Sequence, residues 1–91
     1  MKIHERPNWK QSYDKIKNVV NADLDPLGVA DKIDDEYSNL NFKIYASLLL
    51  SKDINSLSTV IKKELADYYG VTTIPDADIL NATTKLVKLD I

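Results

Sequence analysis

The stretch NADLDPLGVADKIDDEY, residues 21–37, decides how this chain of 91 residues is divided into helices. It holds six acidic residues, one of the three prolines and one of the two glycines. Apolar residues at helical spacing lie on both sides of it, whereas the stretch itself combines turn-forming and charged residues. The pattern therefore predicts a connection between two helices, with its acidic side chains in water.

The segment before this connection predicts a first helix over residues 8–24. Asn8 is the expected N-cap. Pro26 disfavours helical backbone at the residue before it, so the helix is expected to stop near Asp23 or Leu24. Six apolar residues spaced by three or four positions form its stripe: Trp9, Tyr13, Ile16, Val20, Leu24 and Leu27.

The segment after the connection predicts a second helix over residues 35–51. Asp34 or Asp35 is the expected N-cap and Glu36 lies in the first turn, because carboxylates accept free N–H groups there and favour the positive helix end. The apolar stripe comprises Tyr37, Leu40, Ile44 and Leu48, broadened by Tyr45 and Leu49. Two further apolar residues lie off this stripe, Phe42 and Leu50. A helix with apolar residues beyond one stripe is expected to touch neighbours on two sides, which predicts that this helix is central.

A third helix is predicted over residues 54–69, with Asp53 or Asn55 as its N-cap. Gly70 is expected to end it in a left-handed conformation, with Val71 folding back onto the last turn. Five apolar or aromatic residues share one face: Leu57, Val60, Ile61, Leu65 and Tyr68. Because Tyr68 and Tyr69 are adjacent, they point in different directions, so one of the two rings is expected to be partly exposed.

The last segment predicts a fourth helix over residues 75–89, starting at Pro75. Its stripe consists of Ile79, Ala82, Leu86 and Leu89. Val87, Leu89 and Ile91 also alternate as in a strand, but the helical stripe is longer and is favoured. The chain is therefore predicted to be all-α, a single compact bundle of three to four antiparallel helices. Residues 1–91 form one domain in this prediction, with residues 1–7 as a loose N-terminus.

The composition is that of an ordinary globular domain, with 44% hydrophobic and 29% charged residues. The chain has no cysteine, which removes disulfides and thiolate sites and suits a reducing compartment. The first residues, MKIHERPNWKQ, have no apolar core like that of a secretion signal. No apolar run approaches the length of a membrane span. We therefore predict a cytoplasmic protein that does not associate with membranes.

Acidic charge is concentrated in the connection. The chain as a whole has a net charge of −2, whereas residues 23–36 carry six acidic residues against Lys32 alone, a net charge of −5. One helix start uses only two or three carboxylates as caps, so part of this charge has no local structural role. The acidic connection is therefore the candidate partner-binding site, suited to a basic protein surface. Its carboxylates are Asp23, Asp25, Asp31, Asp34, Asp35 and Glu36.

Catalytic patterns are weak in this sequence, and we predict that the protein is not an enzyme. The one histidine, His4, lies in the predicted loose N-terminus. With two glycines in the chain there is no glycine-rich phosphate loop. Adjacent carboxylates at a helix start are explained by capping and solvation rather than by acid–base chemistry. No catalytic residue and no cofactor is predicted.

The same stretch partly matches a calcium-binding loop. With Asp23 as position 1 of a 12-residue loop, acidic residues fall at positions 3, 9 and 12 and Gly28 falls at position 6. However, Leu27 occupies position 5, where an oxygen ligand belongs, and Pro26 lies within the ligand turn. The last ligand is Asp34, which is shorter than the usual bidentate glutamate. The sequence therefore favours a solvated acidic connection, and no metal site is predicted.

Nucleic-acid binding is also disfavoured. Five basic residues near the N-terminus, with Trp9 and Tyr13 among them, resemble a phosphate-binding stripe: Lys2, Arg6, Lys10, Lys15 and Lys17. The overall pI of 5.2 argues against a phosphate-tracking surface. Both aromatic residues lie on the core stripe of the first helix and are expected to pack inside. We predict no nucleic-acid partner.

Three short motifs resemble a family of small all-helical bacterial proteins of unknown function. That family has a Trp-Asp-Pro-hydrophobic-Gly segment, then Asp-Glu-Tyr, then two helices of which the second closes at an aromatic–Gly pair. The match covers roughly residues 12–71, and Leu24 stands where the family has tryptophan. The matching positions are Asp25, Pro26, Leu27, Gly28, Asp35, Glu36, Tyr37, Leu65, Tyr69 and Gly70. The resemblance implies an all-helical fold. It does not point to any particular activity.

Two function classes stay open at this point. Small size, helical compactness, the absence of catalytic groups and the localised acidity favour a protein-binding module, most concretely a cytoplasmic immunity protein or antitoxin that blocks a basic nuclease-type toxin through the acidic connection. The alternative is a helical scaffold or regulatory domain of unknown role, with homodimerisation through surplus apolar residues such as Phe42 and Leu50.

Overall fold

Four α-helices and one π-helical turn make up the part of the chain that the computed structural model describes, residues 9–28 and 36–91. The bounds are α1, Trp9–Val19; the π turn, Val20–Leu24; α2, Ser38–Leu50; α3, Ile54–Asp67; and α4, Asp76–Val87. No strand occurs in these ranges, so the all-α prediction is confirmed. The predicted loose segment 1–7 and the predicted cap Asn8 lie outside the described residues.

The helices form a closed ring around one core. Each helix packs against the next in sequence, and α4 returns to contact both α1 and the π turn. The predicted stripes supply the core, with Trp9, Leu49 and Leu89 packed at its edge. The fully buried apolar residues at its centre are Ile16, Val20, Leu40, Ile44, Leu57, Ile61, Ala82 and Leu86.

The first helical segment ends at Leu24, as predicted, but its last turn is a π turn and not an α-helical one. The last five residues before Asp25 widen into the π turn, and the Asp25 N–H donates to the Val20 carbonyl at 2.9 Å. Asp25 then adopts a left-handed conformation with φ 31° and ψ 59°. Aspartate tolerates this region better than most residues, and the following Pro26 disfavours ordinary helical backbone here. The chain turns away at this point, which leaves Leu27 exposed, so its place in the core stripe was wrong.

The second helix begins three residues later than predicted. Tyr37 takes the N-cap position of α2, with φ −100°, ψ 24° and no side-chain cap bond, so Glu36 precedes the helix instead of lying in its first turn. The Tyr37 ring is buried. Asp34 and Asp35, the predicted caps, lie outside the described residues.

The α2 helix touches neighbours on two sides, as predicted, but every helix of the ring does so, and α2 is not central to it. On one side it contacts α3, and on the other the Phe42 ring lies 4.7 Å from the Tyr13 ring and 6.2 Å from the Trp9 ring, measured between centroids. Phe42 is therefore used inside the fold and is not a surplus residue. Leu50, the other residue off the stripe, is 89% exposed.

The predicted start of α3 and the cap at Asp53 are confirmed, whereas the helix ends at Asp67, two residues before the predicted end at residue 69. The carboxylate of Asp53 accepts from the Ser56 backbone N–H at 2.8 Å and from its hydroxyl at 2.7 Å, which caps the helix. At the other end Gly70 has φ 67°, and the Val71 N–H donates to the Leu65 carbonyl at 2.8 Å. Tyr68, assigned to the core face, is 61% exposed because the helix has already ended.

The fourth helix begins at Asp76 with Pro75 in the N-cap position, one residue after the predicted start, and it ends at Val87, two residues before the predicted end at residue 89. Beyond it, Lys88 and Leu89 donate to the carbonyls of Lys85 and Leu86 in a closing turn. The strand alternative for the last residues is therefore not adopted. None of the helices in residues 9–28 and 36–91 has the length and apolar character that crossing a bilayer requires.

Candidate functional site

The candidate site is the acidic segment, residues 23–36, with its six carboxylates. The structure describes Asp23, Asp25 and Glu36. Asp31, Asp34 and Asp35 lie outside the described residues, so their arrangement stays a prediction. The described residues show how the two ends of the segment are held.

The two ends are joined through the hydroxyl of Tyr37. This hydroxyl donates to Asp25 Oδ1 at 2.6 Å and accepts from the Leu27 backbone N–H at 3.0 Å. We call this three-residue arrangement the Tyr37 clamp. It connects residues 12 positions apart in the chain. Because a hydrogen bond to a charged group is stronger than a neutral one, the bond to the carboxylate is its main element.

The residues between Asp25 and Gly28 form a closed β-turn. The Gly28 N–H donates to the Asp25 carbonyl at 3.0 Å, with Pro26 in the second position and glycine in the fourth. Both residue types suit these positions. Gly28 has φ 67°, a left-handed conformation that other residues resist. The Asp-Pro-Leu-Gly motif is therefore a turn whose first side chain and third N–H are both bound by Tyr37.

Tyr69 holds the other end of the acidic segment. Its ring meets the Tyr37 ring edge-on, with centroids 5.7 Å apart, and its hydroxyl donates to the Glu36 carbonyl at 3.2 Å. The tyrosine just before the Gly70 helix end thus contacts the Asp-Glu-Tyr motif directly. Each of the three motifs that carry the family resemblance has at least one described residue in this group of contacts. The three motifs therefore meet in space.

Asp23 belongs to a different environment. Lys85 of α4 donates to its Oδ1 at 3.2 Å, and the ammonium lies 2.9 Å from Oδ2. Both groups line a surface cleft of about 620 Å³ together with Asp78 and Lys88, so the charges of this cleft balance. Asp23 is mostly buried by its contact with α4. Its charge is therefore offset inside the chain, 62 positions away in sequence.

The described acids thus differ in their roles. Asp23 pairs with Lys85, and Asp25 serves the Tyr37 clamp, so two of the six predicted partner-binding residues have structural partners. Glu36 is half-buried, and its backbone carbonyl is bound by Tyr69. The carboxylates that remain available to contact a partner are those of Glu36 and the three aspartates before it.

One buried carboxylate was missed from the sequence. Glu64 is 5% exposed and its Oε1 lies 2.9 Å from the Lys43 ammonium of α2. Glu64 follows Ile61 by three residues and precedes Tyr68 by four, so its position on the α3 stripe was the available signal. Paired to a lysine at the protein edge, it links α2 to α3 beside Tyr69.

A second buried polar residue was also missed. Asn41 follows Tyr37 by four residues on the α2 stripe, and its amide Nδ2 donates to the Tyr13 hydroxyl at 3.4 Å. This bond joins α2 to α1 inside the aromatic cluster of Trp9, Tyr13 and Phe42. Both aromatic residues of α1 therefore pack in the fold, as predicted.

Among residues 9–28 and 36–91, no three metal-ligating side chains of the His, Cys, Asp or Glu type come together. In the calcium interpretation Asp25 was the ligand at position 3, and its carboxylate instead accepts from Tyr37. Two further ligands of that interpretation, Asp31 and Asp34, lie outside the described residues.

The hydroxyl of Tyr69 has a raised pKa. Burial of its hydroxyl raises its pKa from 10.0 to about 12, and the nearby carboxylate of Glu64 adds to the rise. The folded protein thus holds this proton more tightly than the unfolded chain does. The stabilisation is fully present below pH 10, and it is lost as the pH rises through about 12.

We therefore expect the free energy of unfolding to fall between pH 10 and about 12, and this part of the fall to be absent in Tyr69→Phe. Urea unfolding at a series of alkaline pH values measures it, with Tyr68→Phe, which removes an exposed neighbouring hydroxyl, as the control. An identical alkaline profile for wild type and Tyr69→Phe contradicts the assignment.

Comparison with known proteins gives no relative for this chain. No protein-family model, curated protein or solved structure matches it. The family resemblance of the three motifs therefore stays a prediction, and the functional conclusion has to come from the site itself.

Proposed function

We propose that this protein is a protein-binding module, most concretely a cytoplasmic immunity protein or antitoxin that blocks a basic nuclease-type toxin. The observation that carries the proposal is the Tyr37 clamp at the base of a strongly acidic segment. The segment between the clamped ends is short, and acidic residues dominate it. A charged segment whose flanking residues are fixed is the type of feature that meets a complementary surface.

The charge available for a partner is that of residues 29–36. They contain four acids against Lys32, a net charge of −3, and neither Asp23 nor Asp25 is among them. Carboxylates at an interface meet the cationic groups with which a nuclease holds phosphate, which blocks the site and speeds encounter. Encounter through such charges weakens as salt screens them, over about 8 Å at physiological ionic strength.

Fixing the ends of the segment supports tight binding. An unconstrained loop loses conformational entropy when a partner orders it, at about 1–2 kcal/mol per residue for the backbone. The hydrogen bonds of Tyr37 and Tyr69 order residues 25–28 and 36 before any partner arrives. Part of the ordering cost is therefore met on folding, which leaves more of the interaction energy for affinity.

The triple variant Asp31→Asn, Asp34→Asn, Asp35→Asn tests the proposal. We expect it to slow association with a basic partner roughly 10- to 100-fold at low salt, and to reduce the salt dependence of that rate. The partner is to be sought among the products of genes adjacent to this one, by neutralisation of toxicity on co-expression. Surface plasmon resonance at several salt concentrations then gives the rates.

A matched control carries the same charge change elsewhere. Asp14, Asp67 and Asp90 are exposed and lie outside the acidic segment, so their triple replacement by asparagine also removes three negative charges. If both triple variants slow association equally, only net charge matters and the acidic segment is not the site. If no neighbouring gene product is neutralised, the immunity role is rejected.

Leu50 favours a second candidate function, a helical scaffold or regulatory domain that forms homodimers. It is 89% exposed at the end of α2, and Ile54 at the start of α3 is also exposed. Phe42, the other residue considered for this role, is covered by Trp9 and Tyr13. Light scattering distinguishes the two functions: a dimer that Leu50→Lys dissociates favours the scaffold, and a monomer that forms a salt-sensitive complex favours the binding module.

A further inference from the structure

A surface cavity of about 240 Å³, open to solvent on one side, lies between α3 and the start of α4, on residues that the acidic segment does not share. Its floor consists of Leu65 and Ile79, which are both buried, and its walls include the half-buried Val71 and Ile74. These four residues come from α3, α4 and the connection between the two helices. The cavity therefore lies where α3, α4 and their connection meet. The surface that these four side chains give the cavity is apolar.

Opposite charges meet at the mouth of this cavity. Lys62 Nζ lies 3.1 Å from Asp76 Oδ1, and the two side chains are 51% and 87% exposed. An ion pair this exposed contributes little to stability, so each charge is free to exchange its partner for a ligand group at small cost. The cavity thus combines an apolar interior with one cation and one anion, side by side, at its entrance.

We propose that this cavity binds a free α-amino acid with a large apolar side chain, of the phenylalanine or leucine type. The side chain fills the apolar interior, the α-carboxylate meets Lys62 and the α-ammonium meets Asp76. An ammonium and a carboxylate on one carbon match two opposite charges that lie 3.1 Å apart. A ligand with only one charge leaves half of this arrangement without a counterpart.

The size of the cavity limits the ligand. A dry apolar cavity of about 150 Å³ holds one benzene molecule, whereas sites for drug-sized ligands begin near about 300 Å³. At about 240 Å³, the cavity fits one aromatic ring or branched chain with a small head group. A ligand of this size with weak surface ion pairs is expected to bind with a Kd on the order of 1 mM.

Nuclear magnetic resonance titration of the full chain tests this inference. L-Phenylalanine is expected to shift the backbone amide signals of Ala66, Val71, Thr72 and Ile74 with saturation in the millimolar range. L-Serine has the same two charges without the apolar group, and N-acetylphenylalaninamide has the apolar group without the charges. Both are expected to bind at least 10-fold more weakly. Equal binding of either one overturns the amino-acid assignment, and the absence of saturable shifts with L-phenylalanine overturns the site.

Two pairs of variants locate the binding. Ala66→Leu places a larger side chain at the cavity wall and is expected to weaken L-phenylalanine binding at least 10-fold. Ala77→Leu makes the same change at an exposed α4 position outside the cavity and is expected to leave binding unchanged. Lys62→Gln is expected to weaken binding several-fold, whereas Lys63→Gln, one residue along α3 and outside the lining, is not. Equal effects within either pair overturn the proposal.

Discussion

Replacing Leu40 by alanine is expected to lower the free energy of unfolding by about 2–5 kcal/mol. Leu40 is fully buried in α2, the helix that touches both α1 and α3. Removing its side chain loses the transfer energy of three carbons and leaves a cavity that the surrounding helices cannot fully close. A domain of this size is stable by only about 5–10 kcal/mol, so the variant is expected to lose much of its stability. Urea unfolding followed by circular dichroism measures the change.

Leu50→Ala is the matched control, since it makes the same chemical change in the same helix. Leu50 is 89% exposed, so its truncation is expected to change the free energy of unfolding by no more than about 0.5 kcal/mol. Equal losses in the two variants contradict the packing of α2 described above. A loss in Leu50→Ala that grows with protein concentration indicates instead that Leu50 is covered in a homodimer.

Tyr37→Phe is the second change with a large expected effect, a loss of about 1.5–3 kcal/mol in the free energy of unfolding. The substitution keeps the buried ring and its edge-on contact with Tyr69, but it removes the hydroxyl that donates to Asp25 and accepts from Leu27. A half-buried carboxylate and a backbone N–H thereby lose a partner at once. Tyr68→Phe, which alters an exposed hydroxyl at the end of α3, is expected to change stability by less than about 0.5 kcal/mol.

A double-mutant cycle identifies the clamp itself. If Tyr37 acts through Asp25, the loss caused by Tyr37→Phe is much smaller in an Asp25→Ala background, and the coupling energy exceeds about 0.5 kcal/mol. Hydrogen exchange of the Leu27 amide is expected to become faster in Tyr37→Phe, because that amide donates to the missing oxygen. Additive losses and unchanged exchange contradict the clamp.

The clamp also connects stability to the proposed function. Under that proposal Tyr37→Phe weakens partner binding although the Tyr37 ring is buried, because the clamp no longer joins the two ends of the acidic segment. The loss then lies in the dissociation rate and is insensitive to salt, whereas the aspartate-to-asparagine variants act on association and on its salt dependence. The two sets of variants therefore separate positioning from charge.

Much of the fold follows from short-range patterns. Most of the α2 and α4 stripes are buried as predicted, Asp53 caps α3, Gly70 follows its end in a left-handed conformation, and Pro75 is the N-cap of α4. Each of these depends on the spacing of neighbouring apolar residues or on the backbone preference of one residue type. The errors occur at the helix ends: Leu27 and Tyr68 fit the stripes by spacing but lie beyond the point where each helix stops.

The sequence indicated which segment forms the candidate site, but it did not indicate the role of each acidic residue in that segment. Acidic density identified residues 23–36, and the motif resemblance identified Asp25, Gly28 and Tyr37 without giving them a contact. The structure assigns Asp25 to Tyr37, and Asp23 to Lys85. Composition cannot separate a carboxylate held inside the fold from one free for a partner, because both are counted as the same charge.

The sequence by itself determined the helical class, the approximate positions of the helices and most of the core, since periodicity, caps and turns act over a few residues, whereas it left the count at three to four helices. Only the tertiary structure decided that Tyr37 and Tyr69 join the ends of the acidic segment, that Asp23 meets Lys85 and that Glu64 meets Lys43. These contacts join residues that the packing of whole helices brings together. Their partners depend on the rotation and ending of each helix, which the pattern of any one segment leaves open.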